Sequence, residues 1–553
     1  MTCKWSAALS VTLLLSACGD DSPGGNNNQN QSQPVCGNGE LETGEQCDDG
    51  AQNSDTLPDA CRTDCRLAYC GDRILDAGEG CDDGPSNSDF LPGACRSDCQ
   101  PFGCGDGVAD PGETCDDGNA TAGDGCSDQC ATEDHWQCSG APSLCTCLDF
   151  RRGDGCAQCR VFVSLDATGS EPEGLTWETA FPTVQQGIDA GYDAGPGCEV
   201  WVAAGTYRIM QSSIFDTVEL RRGVGLYGGF AGGETERSQR DWQANETILD
   251  GEHVTEDRAV MHVVTAEETV DATLDGFVVR GGFAQGPHDE DNLGAGMVAF
   301  GAVMTIENCR FADNYAIGSG GGLYAYGANL TFRGTSFVNN STRDDGGGLL
   351  LALSTAELSR CEIRDNETVG SNAGAGGGLN IQASEVHAVN SLIAENIAAG
   401  QGGGIFTYYS SLSLLHCTVA DNVATSGTGH GFHKATVSAV DSIDLTSSIL
   451  ADSFFPTSSP SITASYCVLP GLASVGSGPG NTDQPATFMG VSDYHLTDSS
   501  QGIDRADGLA APATDLEGNA RYDNPDQNDI YNCAGQPSCV TYADCGAYEY
   551  HVP

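Results

Sequence analysis

GGGLYAYGANLTFRGTSFVNN, residues 320–340, is followed closely by a second version of itself, GGGLLLALSTAELSRCEIRDN, residues 346–366. The same frame runs through residues 294–453. One column of small residues holds Cys309, Thr335, Cys361, Ser391, Cys417 and Ser448, at steps of 26, 26, 30, 26 and 31 residues. Two places on stand Phe311, Phe337, Ile363, Ile393, Val419 and Leu450; three places before stand Ile306, Phe332, Leu358, Ala388, Leu414 and Leu445. Asparagine closes five successive copies, at Asn314, Asn340, Asn366, Asn396 and Asn422. A unit this short, with apolar residues at period two, cannot bury its inner face alone. Stacking the copies about 4.8 Å apart buries a continuous core and pairs every inner strand edge. Glycines supply positive φ at the corners, and identical asparagines one turn apart can bond as a ladder. The pattern predicts an all-β fold, a single-stranded right-handed parallel β-helix. A β-propeller needs about 40–50 residues per blade and does not fit. The longer steps place their extra residues in loops at one corner.

Upstream, residues 160–163 and 199–202 read as strands. Pro182 opens a helix between them whose one face is Val184, Ile188 and Ala190. This unit would cap the coil's first open edge. The triglycine-Leu/Ile and Phe/Ile-x-Asp-Asn motifs resemble those of chlamydial polymorphic outer-membrane proteins, which are β-helical adhesins. Residues from about 160 to 550 are similar to bacterial pectin-lyase-like proteins with a choice-of-anchor Q carboxyl end. The residues that carry this are Trp177, Trp201 to Tyr207, Tyr227 to Ala231, Leu274 to Phe277, Tyr494 to Leu496, Asp515 to Asn519 and Gly546 to Glu549. Cys533, Cys539 and Cys545 depart from that pattern and predict a disulfide near the end.

Before the coil lies an array of cysteines, seventeen between Cys36 and Cys159. Cys36, Cys47, Cys61 and Cys65 recur as Cys70, Cys81, Cys95 and Cys99, then as Cys104, Cys115, Cys126 and Cys130. Units of 34 residues with few large apolar side chains need covalent staples, so two disulfides per unit are expected, with three pairings open. Zinc needs Cys-x2-Cys pairs, and only Cys156 and Cys159 have that spacing. The units resemble the cysteine-rich repeats of myxobacterial secreted proteins, down to their Ala-Cys-Arg-x-Asp-Cys segments. Each also carries paired aspartates: Asp48 and Asp49, Asp82 and Asp83, Asp116 and Asp117. Two readings stand for these, a calcium site or a solvated turn in which one aspartate caps the local backbone.

Residues 1–17 form a short apolar leader. It ends Leu15-Ser16-Ala17-Cys18, which resembles the lipobox of bacterial lipoproteins. That resemblance implies a lipidated Cys18 anchored in the cell outer membrane, facing the surface or the periplasm, or else a secreted chain. Residues 18–35 are a polar tether. The organisation is then leader (1–17), tether (18–35), disulfide-rich array (36–159), coil with its N-terminal cap (160–490) and carboxyl cap (491–553). Setting aside Cys3 and Cys18 leaves 25 cysteines, so one thiol at least is free in a monomer, with the Cys309, Cys361, Cys417 column its place. Asp and Glu outnumber Lys and Arg by 78 to 23, a formal charge of −55. Such a surface repels phosphate backbones, and nucleic acid is excluded as a partner.

The superfamily resemblance raises the question of catalysis. The position before each asparagine is acidic in four of five turns: Asp313, Asn339, Asp365, Glu395 and Asp421, with Arg364 alongside. His430 and His433 gather near Lys434 where the triglycine breaks. Asp365, Arg364, Asp421, His430 and His433 are the catalytic candidates of an envelope-tethered polysaccharide lyase or glycoside hydrolase. A regularly repeated acid is more readily a turn residue than a catalyst. The favoured expectation is a non-catalytic, lipid-anchored surface protein that presents the coil for adhesion or for binding an extracellular glycan or a neighbouring cell.

Overall fold

The computed structural model describes residues 35–140, 142–148, 151–152, 158–252, 258–370, 374–435, 442–456, 462–470, 478–508, 510–521 and 543–550. The leader, Cys18, Cys156, Cys533 and Cys539 lie outside them. The chain forms two compact units, the disulfide array and, from Cys145 onward, the coil with its tail.

Each full rung of the coil has four short strands, and like strands of successive rungs pair in parallel register. Sheet I has nine strands, including Leu323–Tyr326, Leu349–Ala352, Leu379–Gln382 and Ile405–Tyr408. Sheet II has twelve and includes Asn329–Arg333 and Thr355–Ser359. Sheet III has nine, from Gly205–Arg208 to Ile449–Leu450, with Arg310–Ala312, Ser336–Val338 and Glu362–Arg364 between. Sheet IV has six two-residue strands, Phe283–Ala284 to Val423–Ala424.

The predicted columns are the core. Phe311 lies opposite Phe337, which lies opposite Ile363, then Ile393 and Val419, and all five are fully buried. Phe311 and Phe337 stack with centroids 4.9 Å apart. Each such side chain contributes about 1.5–3 kcal/mol, which no isolated rung could realise. The column of Cys309, Cys361 and Cys417 is buried with Thr335, Ser391 and Ser448, and Cys467 continues it one rung further. Burial pushes these four thiols up to about 12, so they stay protonated.

The asparagine ladder forms as predicted. Asn314 donates Nδ2–H to Asn340 Oδ1 (2.9 Å), Asn340 to Asn366 (3.0 Å), Asn366 to Asn396 (2.9 Å) and Asn396 to Asn422 (2.9 Å). It ends on Asp452, whose carboxylate accepts both the backbone and the side-chain N–H of Asn422. A carboxylate suffices there because the last rung has only to accept. In each triglycine the first residue has positive φ (Gly346, +71°), and a Cβ on the third would press on the ladder: that of Gly348 would meet Asn366 at 3.1 Å.

The helix Val184–Asp193 caps the start of the coil, with Thr183 Oγ1 accepting from Gln186 N and with Val184 and Ile188 buried. Cys159 pairs with Cys198, so it belongs to sheet II rather than to a metal pair with Cys156. The extra residues of the long steps do not share one corner. Those of the 30-residue step precede Leu379–Gln382 at the glycine corner, whereas four of the five in the 31-residue step fall between Phe432–Lys434 and Ile443–Thr446, where sheet I turns into sheet II, and one precedes Phe432.

The tail does not simply close the far end. The hairpin of Phe488–Gly490 and Asp493–Leu496, with residues 510–521 and 543–550, runs back over the outer face of sheet III. It buries Tyr494, Leu516 and Ala547 against Leu392, Ala394 and Ala420. His416 Nδ1 meets Asp544 O at 3.0 Å, and Arg521 reaches Asn390 Oδ1 at 3.0 Å and Glu549 at 2.5 Å. Cys545, one of the three cysteines from which a disulfide near the end is expected, is a buried free thiol, and the other two lie outside the described residues.

Candidate functional site

The acidic column belongs to a corner of the backbone. Asp313, Asn339, Asp365, Glu395 and Asp421 all have φ between +56° and +59°, immediately before the ladder asparagines. Asp and Asn tolerate this left-handed conformation better than most residues, which accounts for the repetition. The corner does gather charge. Arg364 pairs with Asp365 (3.0 Å) and with Glu395 (3.4 Å). Ser492 of the tail donates to Glu395, and the Tyr494 hydroxyl donates to Asp421 Oδ2 at 3.0 Å. Burial and the two carboxylates drive the Tyr494 phenol upward. The tail therefore touches Glu395 and Asp421; Asp313, Asn339, Asp365 and Asp421 are exposed, and Arg364 and Glu395 are half-buried.

The histidines separate. His430 is exposed, and its Nδ1 accepts from Ala424 N at 3.1 Å. His433 is buried, bonded to Thr428 Oγ1 at 3.1 Å and stacked on Phe406 with centroids 5.6 Å apart.

That stack borders an outer face not apparent from the sequence, in whose first column Val298, Leu350, Asn380 and His433 are buried and Tyr324 and Phe406 half-buried. Strands of sheet I point alternate side chains outward, so Val298, Tyr324, Leu350, Asn380, Phe406 and His433 fall in register, with Phe300, Tyr326, Ala352, Gln382 and Tyr408 beside them. Six aromatic residues, with Tyr409 at the adjoining corner, crowd this outer face. Tyr326, Tyr408 and Tyr409 are 47%, 43% and 50% exposed. Phe300 and Tyr324 meet edge to face at 6.0 Å, and Tyr408 and Tyr409 at 4.5 Å. The signal was present as Tyr326 and Tyr408 at the same place in their repeats, but Ala352 and Gln382 interrupt it.

In the array, disulfides join the first and fourth cysteines and the second and third of every unit: Cys36–Cys65 and Cys47–Cys61, Cys70–Cys99 and Cys81–Cys95, Cys104–Cys130 and Cys115–Cys126. Asp48 caps the local backbone. One oxygen accepts from Gly37, Asn38 and Gly39 N (3.0–3.1 Å) and the other from Gly50 N (2.8 Å). Asp82 and Asp116 repeat this arrangement. Desolvation raises the Asp48 and Asp82 carboxyls, but these donors outweigh it and hold both below the usual range. Asp49 and Asp83 accept from Cys61 N and Cys95 N, each at 3.0 Å, and Asp117 accepts from Asn119 N. The groups of acids and sulfur that lie closest together, such as Glu45, Asp48 and Cys65, include a sulfur already in a disulfide. Units are joined by buried arginines. Arg62 holds Asp72 (2.6 Å) and Asp76 (2.5 Å) of the next unit, and Arg96 holds Asp106 and Asp110 (2.7 Å each).

A family model described as a right handed beta helix region matches residues 289–441, in accord with the stacked parallel rungs. No curated protein matches the sequence. Among solved structures the chain is similar to pectate lyase Pel9A, with 12% identity and a TM-score of 0.40 over 71% of this chain and 97% of that one. It is also similar to pectin methylesterase PemA from Erwinia chrysanthemi (10%, 0.32, 58% and 92%). A third likeness is to PfbA, a surface adhesin of Streptococcus pneumoniae (11%, 0.26, 54% and 75%).

Proposed function

We propose that this protein is a non-catalytic surface module, anchored in the outer membrane through Cys18, whose coil holds extracellular glycan or a neighbouring cell surface on the outer face of sheet I. The aromatic file carries this reading. Large rings fixed on a rigid sheet offer flat apolar area at little conformational cost, and their exposed phenols add hydrogen bonds, a combination suited to sugar rings. The rival reading, a polysaccharide lyase or glycoside hydrolase, has to work at Arg364, Asp365 and Asp421, where Arg364 is paired with Asp365 and Glu395 and the Tyr494 hydroxyl already binds Asp421.

The test is binding of the full chain to insoluble polysaccharides and to whole cells, with product analysis alongside. The triple variant Tyr326→Ala, Phe406→Ala, Tyr408→Ala is expected to bind at least about tenfold more weakly, from roughly 0.5–1.5 kcal/mol per ring. Undiminished binding by this variant would remove the adhesive face. New reducing or unsaturated ends, lost in Arg364→Ala, would make the protein an enzyme.

A further inference from the structure

Where sheet II turns into sheet III, a groove of about 380 Å³ runs along the coil, with Trp242 and Glu246 at one end and Arg360 and Glu362 at the other. Its residues are not those the backbone requires. The corner position has positive φ in successive rungs, at Asn308, Gly334, Arg360, Asn390 and His416. Glycine and asparagine suit that conformation; arginine adopts it only at a cost of about 1–2 kcal/mol. Arg360 nevertheless stands there exposed, and Arg310 lines the groove two rungs away. Among the described residues neither guanidinium has a carboxylate within 4.0 Å, in a chain where acids outnumber bases by 78 to 23. Trp242 is half-buried, and its indole N–H has no acceptor among the described residues, unlike those of Trp177 and Trp201, which bond Glu234 O and Glu199.

Four properties narrow the ligand. The two arginines are balanced by Glu246 and Glu362, so the groove itself is neutral, while the −55 of the whole chain repels polyanions at long range. The carboxylates lie four rungs apart, about 19 Å along the axis, far beyond the roughly 5–9.5 Å of a glycosidase pair. The strands of sheet III at the floor are paired on both edges, so a peptide cannot add as a further strand. What remains is an indole face with guanidinium, amide and hydroxyl groups from Gln243, Asn308 and Ser336 around it.

We infer that this groove is a binding subsite for an uncharged polysaccharide strand, with one sugar ring stacked on Trp242 and its hydroxyls bonded by Arg310, Arg360 and Ser336. It is separate from the aromatic file, and either site can fail without the other.

The test is calorimetric titration of the full chain with soluble oligosaccharides of cellulose, xylan, mannan, laminarin, starch, dextran and chitin, with oligogalacturonate as the anionic comparison. One neutral series is expected to bind with an affinity insensitive to salt. It should weaken at least about tenfold in Trp242→Ala and in the double variant Arg310→Ala, Arg360→Ala, both melting as the wild type does, and should persist in Phe406→Ala, Tyr408→Ala. The inference is overturned if no neutral series binds, if binding survives the groove variants, or if oligogalacturonate binds more tightly with steep salt dependence. Light scattering that shows a dimer dissolved by Trp242→Ala would assign the groove to a second copy and overturn it equally.

Discussion

Replacing Asn366 by alanine tests the ladder at its middle rung. The side chain is fully buried, and its Oδ1 accepts from both Asn340 N and Asn340 Nδ2 (3.0 Å each). Its Nδ2 donates to Phe337 O and to Asn396 Oδ1 (2.9 Å each). Four hydrogen bonds vanish, and the Asn340 N–H loses its acceptor inside the protein. At about 1 kcal/mol net per bond the loss is about 4 kcal/mol, more if the stranded groups cost the upper end of the range. Urea unfolding followed by near-ultraviolet circular dichroism measures it as a lowered midpoint at unchanged slope. Asn340→Ala in the Asn366→Ala background should cost at least about 1 kcal/mol less than alone, because the two share bonds. Asn366→Asp should also destabilise, since a carboxylate there cannot donate to Phe337 O and faces the acceptor of Asn396. Asp452 escapes this penalty only by ending the row. A loss below about 1 kcal/mol for Asn366→Ala, or strict additivity in the double variant, would refute the cooperative ladder.

Arg96→Ala strands Asp110, whose side chain is 1% exposed, and should cost the array about 3–5 kcal/mol, read as a lower melting temperature with disulfides intact. His416 is buried, and desolvation with the nearby Arg521 holds its pKa well below the ordinary value. Stability from a depressed histidine is full above the unfolded pKa of about 6.5 and is lost as pH falls below it, so tail docking should weaken on acidification. His416→Asn, which suits φ +51° and can still donate to Asp544 O, should flatten the dependence of melting on pH below about 6.5; an unchanged slope would refute the assignment. Cys361→Ser should shift stability by less than about 1 kcal/mol, because Ser391 occupies the same column one rung on, and the native thiols should resist alkylating reagents until the coil unfolds.

The coil was legible because every rung repeats one environment, so Phe311, Phe337 and Ile363 could be read as a single buried column. Asn314 to Asn422 could likewise be read as a ladder from their repetition alone. The same regularity made Asp365 and Asp421 conspicuous for a backbone reason, the left-handed corner, that sequence alone shows only as repetition. What stayed hidden depends on contacts between distant segments. Ser492 and Tyr494 reach Glu395 and Asp421 across 97 and 73 residues. Trp242 joins Arg310 and Arg360 only because a loop folds beside later rungs. The disulfide pairing was hidden for a similar reason, since four cysteines in order do not reveal which of them the turns bring together.

The arginines between the units of the array give it a direction. Each of the first two units offers a hook, Arg62 or Arg96, and each of the last two a receiving pair, Asp72 with Asp76 or Asp106 with Asp110. The first unit has Asn38 and Glu42 where the receiving pair would stand, and the last has Ser127 where the hook would be. Copying the middle unit in tandem would therefore lengthen the array by one segment with both junctions already matched, while the two end units, each lacking one half of the joint, terminate the series.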